Sequence, residues 1–197
     1  MWKQGLFVLL CTALSWAGGD ALFGLRWLSS PSQVRAQGVK LKLAHSNEYL
    51  WSYTTDTLPK SHSLGESYVL AFYRDSVLVK LSMITVSFTN DPYGSEGKAK
   101  FDLVLTQLSN KMKVKNKFCY VGAKLYQEND EFYQCLNYPG CGSWVAFLFD
   151  DTKTVMLQLK TLRRAEGYIV LTAEANEFGK VAERIKADKN KSDMSAF

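Results

Sequence analysis

The chain carries two histidines and four prolines in 197 residues, with no Cys-x-x-Cys pair and no glycine-rich phosphate loop. Each shortage removes a class of activity. With only His45 and His62 available, both distant in sequence from the cysteines, a zinc site lacks its usual close pair and its fourth ligand. The missing Cys-x-x-Cys speaks against a thiol oxidoreductase, whose motif needs that spacing at a helix start. Charge of one sign is not concentrated either. The formal net charge is +5, and Lys3, Arg26 and Arg35 belong to the N-terminal stretch. What remains is too dispersed for nucleic acid, which needs a basic face. The densest run, Lys111, Lys113, Lys115 and Lys117, alternates with Met112, Val114 and Asn116 and reads as a solvated strand or helix end. No cofactor motif is present, so none is assigned.

What the chain does have is aromatic side chains and an apolar start. Eleven Phe, ten Tyr and five Trp suit a pleated, half-buried surface. Met1-Trp2-Lys3-Gln4 forms a short basic n-region, followed by an uncharged run from Gly5 to Gly18. A membrane-spanning helix needs about 20 apolar residues, and Asp20 ends this run too soon. The pattern is that of an export signal. Cleavage fits either Ser15-Trp16-Ala17 or Val34-Arg35-Ala36. The later site is favoured because Asp20 to Gln37 reads as a loose continuation. The rival is an uncleaved anchor prolonged by Leu22 to Leu28. Domain limits follow: residues 1–36 as signal and loose segment, 37–190 as one domain, and 191–197 as a charged tail.

From Val39 the periodicity becomes two, with Val39, Leu41 and Leu43 alternating against Lys40, Lys42 and Ala44, and Tyr49, Trp51 and Tyr53 continue the pattern. Residues 54–66 read as a loop. Tyr68 to Phe72 and Val77 to Phe88 form a hairpin around Arg74-Asp75-Ser76. Asn90-Asp91-Pro92 breaks the strand, and Phe101, Val104, Leu105, Leu108 and Met112 recur at helical spacing. Phe118 to Tyr126 and Phe132 to Leu136 predict a second hairpin. Trp144 to Phe149 and Thr154 to Leu159 predict a third around Asp150-Asp151-Thr152-Lys153, ahead of a strand at 168–172. Asn176 caps a final helix carrying Phe178, Val181, Ala182 and Ile185. The expected fold is α+β: a mainly antiparallel curved sheet of about seven to eight strands, with two helices packed on one face.

Asp91-Pro92-Tyr93-Gly94, the Cys135 to Trp144 segment, Thr154-Val155-Met156-Leu157 and Gly167-Tyr168-Ile169-Val170-Leu171 carry a resemblance. Residues 68–197 resemble a pattern of exported bacterial proteins of unknown function. The resemblance implies a cell-envelope setting and no particular activity.

Beyond Cys11 lie Cys119, Cys135 and Cys141. An odd count in an oxidising compartment leaves one thiol over. Cys135 and Cys141 flank a segment with Pro139-Gly140, whose turn brings two strand ends together, so this pair leads. Cys119 with Cys141 competes, if the turn at Glu128-Asn129-Asp130 closes the preceding hairpin. Ser61-His62-Ser63 and Asp150-Asp151 read as loop and turn chemistry before any triad or calcium site. Tyr120, Tyr126, Phe132, Tyr133, Tyr138 and Trp144 crowd the cysteine segment. Those facing outward form a platform for a glycan or an envelope protein, and alternate members fill the core. The expectation is therefore an exported, periplasmic or secreted, non-enzymatic binding module, touching membrane only through an uncleaved N-terminus. A hydrolase or thiol enzyme, marked by a cleft holding His45 or His62 beside Cys119 or an acid, is the alternative. A structural or oligomerising subunit, marked by an apolar edge or a large self-complementary face, is a further one.

Overall fold

The computed structural model describes residues 19–123, 125–180, 183, 186 and 187. The apolar signal run, the tail at 191–197, and Val181, Ala182 and Ile185 of the expected last helix lie outside the described residues.

Alternating side chains build eight strands: β1 Lys42–Ser46, β2 Leu50–Thr55, β3 Gly65–Tyr73, β4 Val77–Thr85, β5 Lys113–Tyr120, β6 Ser143–Phe149, β7 Lys153–Arg163 and β8 Glu166–Ala175. They form one antiparallel sheet in the order β1-β2-β3-β4-β8-β7-β6-β5. Two four-stranded meanders therefore meet through β4 and β8, where Ser82 faces Thr172 and Lys80 faces Glu174. The Ser82 and Thr172 hydroxyls lie 3.1 Å apart, and Lys80 Nζ donates to Glu174 Oε1 at 2.8 Å. Strand β4 ends at Thr85, short of the expected Phe88, which instead makes an isolated bridge to Gly167.

Helix α2 (Ser95–Ser109) turns Phe101 and Val104 inward and packs on β6, β7 and β8. Its start is fastened by Asp91, which is buried. One carboxylate oxygen, Oδ2, accepts from Gly97 N–H and from the Tyr133 hydroxyl, both at 2.9 Å. That caps an orphan donor of the helix with a charge the helix dipole favours. Tyr133 belongs to α3 (Phe132–Asn137), which corrects the expected strand at Phe132 to Leu136. Phe132, Tyr133 and Cys135 are the residues it buries, a one-sided arrangement that a helical turn satisfies and a two-sided strand does not.

The segment before β1 is also not loose. Helix α1 (Pro31–Ala36) opens with a capping box, Ser30 with Gln33, and with Pro31 at its first turn. Leu25, Trp27, Val34 and Val39 are all buried in the main core. Phe23 meets Tyr68 edge to face at 5.2 Å, and the Arg35 guanidinium lies 5.4 Å from the Tyr53 ring centre. Leu28 N–H donates to Leu78 O at 3.0 Å, and Leu78 N–H to Ser29 O at 2.9 Å. The stretch thus covers β2–β4 while α2 and α3 cover the other half. Burying Leu25, Trp27 and Val34 stabilises the fold by roughly 1.5–3 kcal/mol each, a large share of a typical domain stability of about 5–15 kcal/mol.

Candidate functional site

The two sheet faces differ. One carries Leu70, Leu81, Ala173, Val155 and Leu148 in register from β3 to β6 and lies under the helices. The other carries three rows. These are Ile84–Val170–Gln158–Val145–Phe118, Ser82–Thr172–Met156–Phe147–Asn116, and Lys80–Glu174–Thr154–Phe149–Lys113. Among the described residues no helix packs on this second face. Its apolar side chains gather toward β5 and β6: Phe118 is 49% exposed, Phe149 38%, and Phe118 meets Phe147 edge to face at 6.5 Å. Trp144 to Phe149 is apolar at every position, the pattern of a strand covered on both sides. Here the outward side is covered in part: Val145 is buried, Phe147 half-buried and Phe149 exposed.

Strand β5 is the sheet edge and pairs with β6 alone. Every residue but Cys119 is exposed, and the register slips between Val114 and Asn116, leaving Lys115 as a bulge. Lys117 pairs with Asp102 of α2 at 3.0 Å. Lys113 and Lys115 have no acidic partner among the described residues. Bulges and lysines are the ordinary means of keeping an edge from pairing with its own kind, because a second β5 brought alongside sets lysine against lysine. Toward its C-terminal end the strand presents Tyr120, and the following loop presents Val121, Leu125 and Tyr126.

That end is braced by sulfur. Cys135 and Cys141 are disulfide-bonded with Cα atoms 5.1 Å apart, leaving Cys119 free. The leading pair of the sequence therefore forms, but it ties the end of α3 to the approach of β6 and does not bridge two strands. Gly122 N–H donates to Cys135 Sγ at 3.1 Å and Ala123 N–H to Cys141 O at 2.9 Å, which holds the loop after β5 against the bridge. Burial pushes the Cys119 thiol up, with Lys117 pulling weakly the other way, so little thiolate is present at neutral pH.

The six aromatics named from the sequence divide in two. Tyr120, Tyr126 and Tyr138 are exposed, the last two in edge-to-face contact at 6.1 Å. Phe132 and Tyr133 are core, and Trp144 is half-buried against Phe132 at 5.4 Å. Lys98 Nζ sits 4.1 Å from the Phe132 ring centre and donates to Tyr93 O at 2.9 Å. Burial lowers its pKa, and nearby Asp91 opposes that. Phe118, Phe147 and Phe149 were not among the six. The signal that points to them is the unbroken apolar run of β6, which needs cover on both faces.

No protein-family model, curated protein or solved structure matches the chain. What the chain does rests on its own geometry.

The marks of catalysis are distributed unfavourably. His45 lies on β1 and Cys119 on β5, opposite edges of eight strands spaced about 4.8 Å apart. His62 uses both ring nitrogens. Nδ1 accepts from Leu64 N–H at 3.1 Å, so Nε2 carries the proton and donates to Gln107 Oε1 at 2.9 Å. Ser61 Oγ is bonded within its own turn to Leu58 N and O. Asp150 is consumed by its hairpin, accepting from Thr152 N–H, Thr152 Oγ1 and Lys153 N–H, and pairing with Lys153 Nζ at 2.6 Å. Burial alone raises its carboxyl, but the Lys153 and Thr152 hydrogen bonds outweigh that and hold it below the ordinary carboxylate value. No group of three metal-binding side chains occurs among the described residues. A groove of ≈ 830 Å³ runs between residues 20–26 and α2, lined by His62, Lys111 and Asp151 among others. Its lining mixes half-buried Leu22, Phe23 and Leu108 with the charged Lys60, Lys111 and Asp151.

Proposed function

We propose that this protein is an exported, non-enzymatic binding module that takes an extended, acidic segment of a partner protein alongside β5. One observation carries the reading: an edge strand whose Lys113 and Lys115 have no acidic partner among the described residues borders a sheet face on which Phe118 and Phe149 are exposed. Strand addition supplies main-chain hydrogen bonds, and alternate side chains of the guest then meet Phe118, Phe147 and Phe149. Acidic residues in the guest meet Lys113 and Lys115, the same charges that oppose self-pairing. The Cys135–Cys141 bridge supports the export part of the reading, since such bonds persist in oxidising compartments. No helix among the described residues is long and apolar enough to cross a membrane.

The test is amide NMR with hydrogen exchange on the disulfide-bonded protein, titrated with a peptide of sequence Glu-Val-Glu-Tyr-Glu-Val-Glu. The expected result is new amide protection and shift changes confined to residues 113–120 and the Phe118–Phe147–Phe149 surface. A Lys113→Glu/Lys115→Glu variant weakens binding at least ~10-fold, as does N-methylation of alternate peptide bonds in the guest. Changes at β1 or the groove, indifference to N-methylation, or binding of neutral oligosaccharides in place of peptide each overturn the proposal.

A further inference from the structure

Two small-x-small sequences offer themselves to a signal peptidase, ending at Ala17 and at Ala36. The fold treats them very differently. Ala36 is the last residue of α1, and a cut there removes Leu25, Trp27 and Val34, each nearly or fully inaccessible. It also strips the cover from Tyr53, Tyr68 and Leu78 on β2–β4, which the segment touches through Arg35, Phe23 and Leu28. Gly19 and Asp20, just after the earlier site, are tied into the fold. Gly19 O accepts from Trp27 N–H at 3.0 Å, and Asp20 bridges Arg26. Asp20 O receives Lys153 Nζ at 3.2 Å and Thr152 Oγ1 at 3.4 Å. Gly19 is seated so closely that a Cβ there would lie 2.5 Å from Thr152 Cγ2.

We infer that the export signal is removed after Ala17, so that the mature chain begins at Gly18 and keeps residues 19–39 as a permanent cap on the β2–β4 half of the core. The inference rests on the export reading and fixes its processing site. The cap fills the place that a helix fills over the other half, and the sheet is incomplete without it. A cut after Ala17 leaves this packing whole, where a cut after Ala36 removes it.

The test expresses the full chain with a C-terminal tag in an exporting bacterial host. Intact mass and N-terminal sequencing are then read on the exported product. The expected product starts at Gly18. Ala17→Glu accumulates uncut precursor, whereas Ala36→Glu, at an exposed helix position, is processed normally. A product starting at Gln37 overturns the processing site and leaves export standing. Full-length protein retained in the cytoplasm with reduced thiols overturns export, and this inference with it. A full-length product held in the membrane overturns the cut itself. As a second measurement, chains 18–197 and 37–197 are oxidised in vitro. The first melts cooperatively, the second binds a hydrophobic dye and lacks a sharp transition, and equal cooperative melting of the two overturns the cap.

Discussion

The junction of α2 and α3 passes through one carboxylate oxygen, and that makes its energetics calculable. Asp91 Oδ2 accepts from Gly97 N–H and Tyr133 Oη, each at 2.9 Å, with Tyr133 fully buried. Burial and the adjacent Asp91 raise the Tyr133 hydroxyl far above the ordinary tyrosine range, so it stays a donor at any working pH. Replacing Tyr133 by Phe removes a hydrogen bond to a charged group, a loss of about 1.5–3 kcal/mol. Asp91→Ala removes that bond and the cap on Gly97, itself about 0.5–2 kcal/mol, for a total near 3–4 kcal/mol. In a domain of this size the single changes lower Tm by about 2–4 °C per kcal/mol. Because both substitutions delete the same bond, the double variant falls short of their sum by about 1.5 kcal/mol or more. Urea unfolding at pH 7 without reductant, followed by fluorescence and near-ultraviolet dichroism, measures this as midpoint shifts at constant slope. If the two substitutions add to within about 0.5 kcal/mol, the two groups are not coupled and the bond is not what holds α2 to α3.

Three further outcomes follow from the geometry. Gly167→Ala places a Cβ 2.0 Å from Tyr133 Cε1 and 2.7 Å from Lys160 O, so it costs about 3 kcal/mol or more, read as a fall in thermal midpoint. Asp150 is held below its unfolded carboxyl value, so its stabilisation is complete above about pH 5 and is lost as pH falls through the lower folded value. Asp150→Asn flattens that limb of a stability-against-pH curve, and an unchanged limb contradicts the assignment. Cys119, with its thiol pushed up by burial, alkylates with iodoacetamide more slowly than free cysteine at pH 7.5. Its rate climbs with pH beyond the point where free cysteine levels off, as single-site mass labelling reports.

The proposed edge and the inferred cap answer one question: how an open sheet satisfies two apolar faces. The helices and residues 19–39 cover one. On the other, the central rows carry Ser82, Thr172, Thr154 and the Lys80–Glu174 pair, which tolerate water, while Phe118, Phe147 and Phe149 at the β5–β6 end do not. Exposed apolar surface of this kind is the ground for the proposed interaction site. Its position beside an unpaired strand edge is why a strand, and not a globular face, is the proposed guest.

Local periodicity was enough to reveal most elements. Tyr68-Val69-Leu70-Ala71-Phe72, Val77 to Thr85, Trp144 to Phe149 and Thr154 to Leu159 alternate or run apolar over strand lengths, and Phe101, Val104, Leu105 and Leu108 repeat at helical spacing. Those patterns exist before any tertiary contact does, because side-chain direction follows from backbone geometry alone. The pairing of Cys135 with Cys141 led over Cys119 with Cys141 because a short segment containing Pro139-Gly140 brings its own ends together, but those ends are a helix and the approach to a strand, not two strands.

Tertiary structure decided what neighbours what. Strand β4 pairs with β8, some ninety residues on, and not with the next strand in sequence. Phe132 to Asn137 became a helix because α2 and β7 offered it a single burying surface, a fact absent from its own six residues. Residues 20–36 resemble a leader when taken alone and become core once β2–β4 stand beneath them. Likewise Phe132 and Tyr133 went inward while Phe118 and Phe149 stayed out. Apolar character sets only that a side chain seeks cover; whether cover arrives depends on elements distant in the chain, and local spacing carries no information about them.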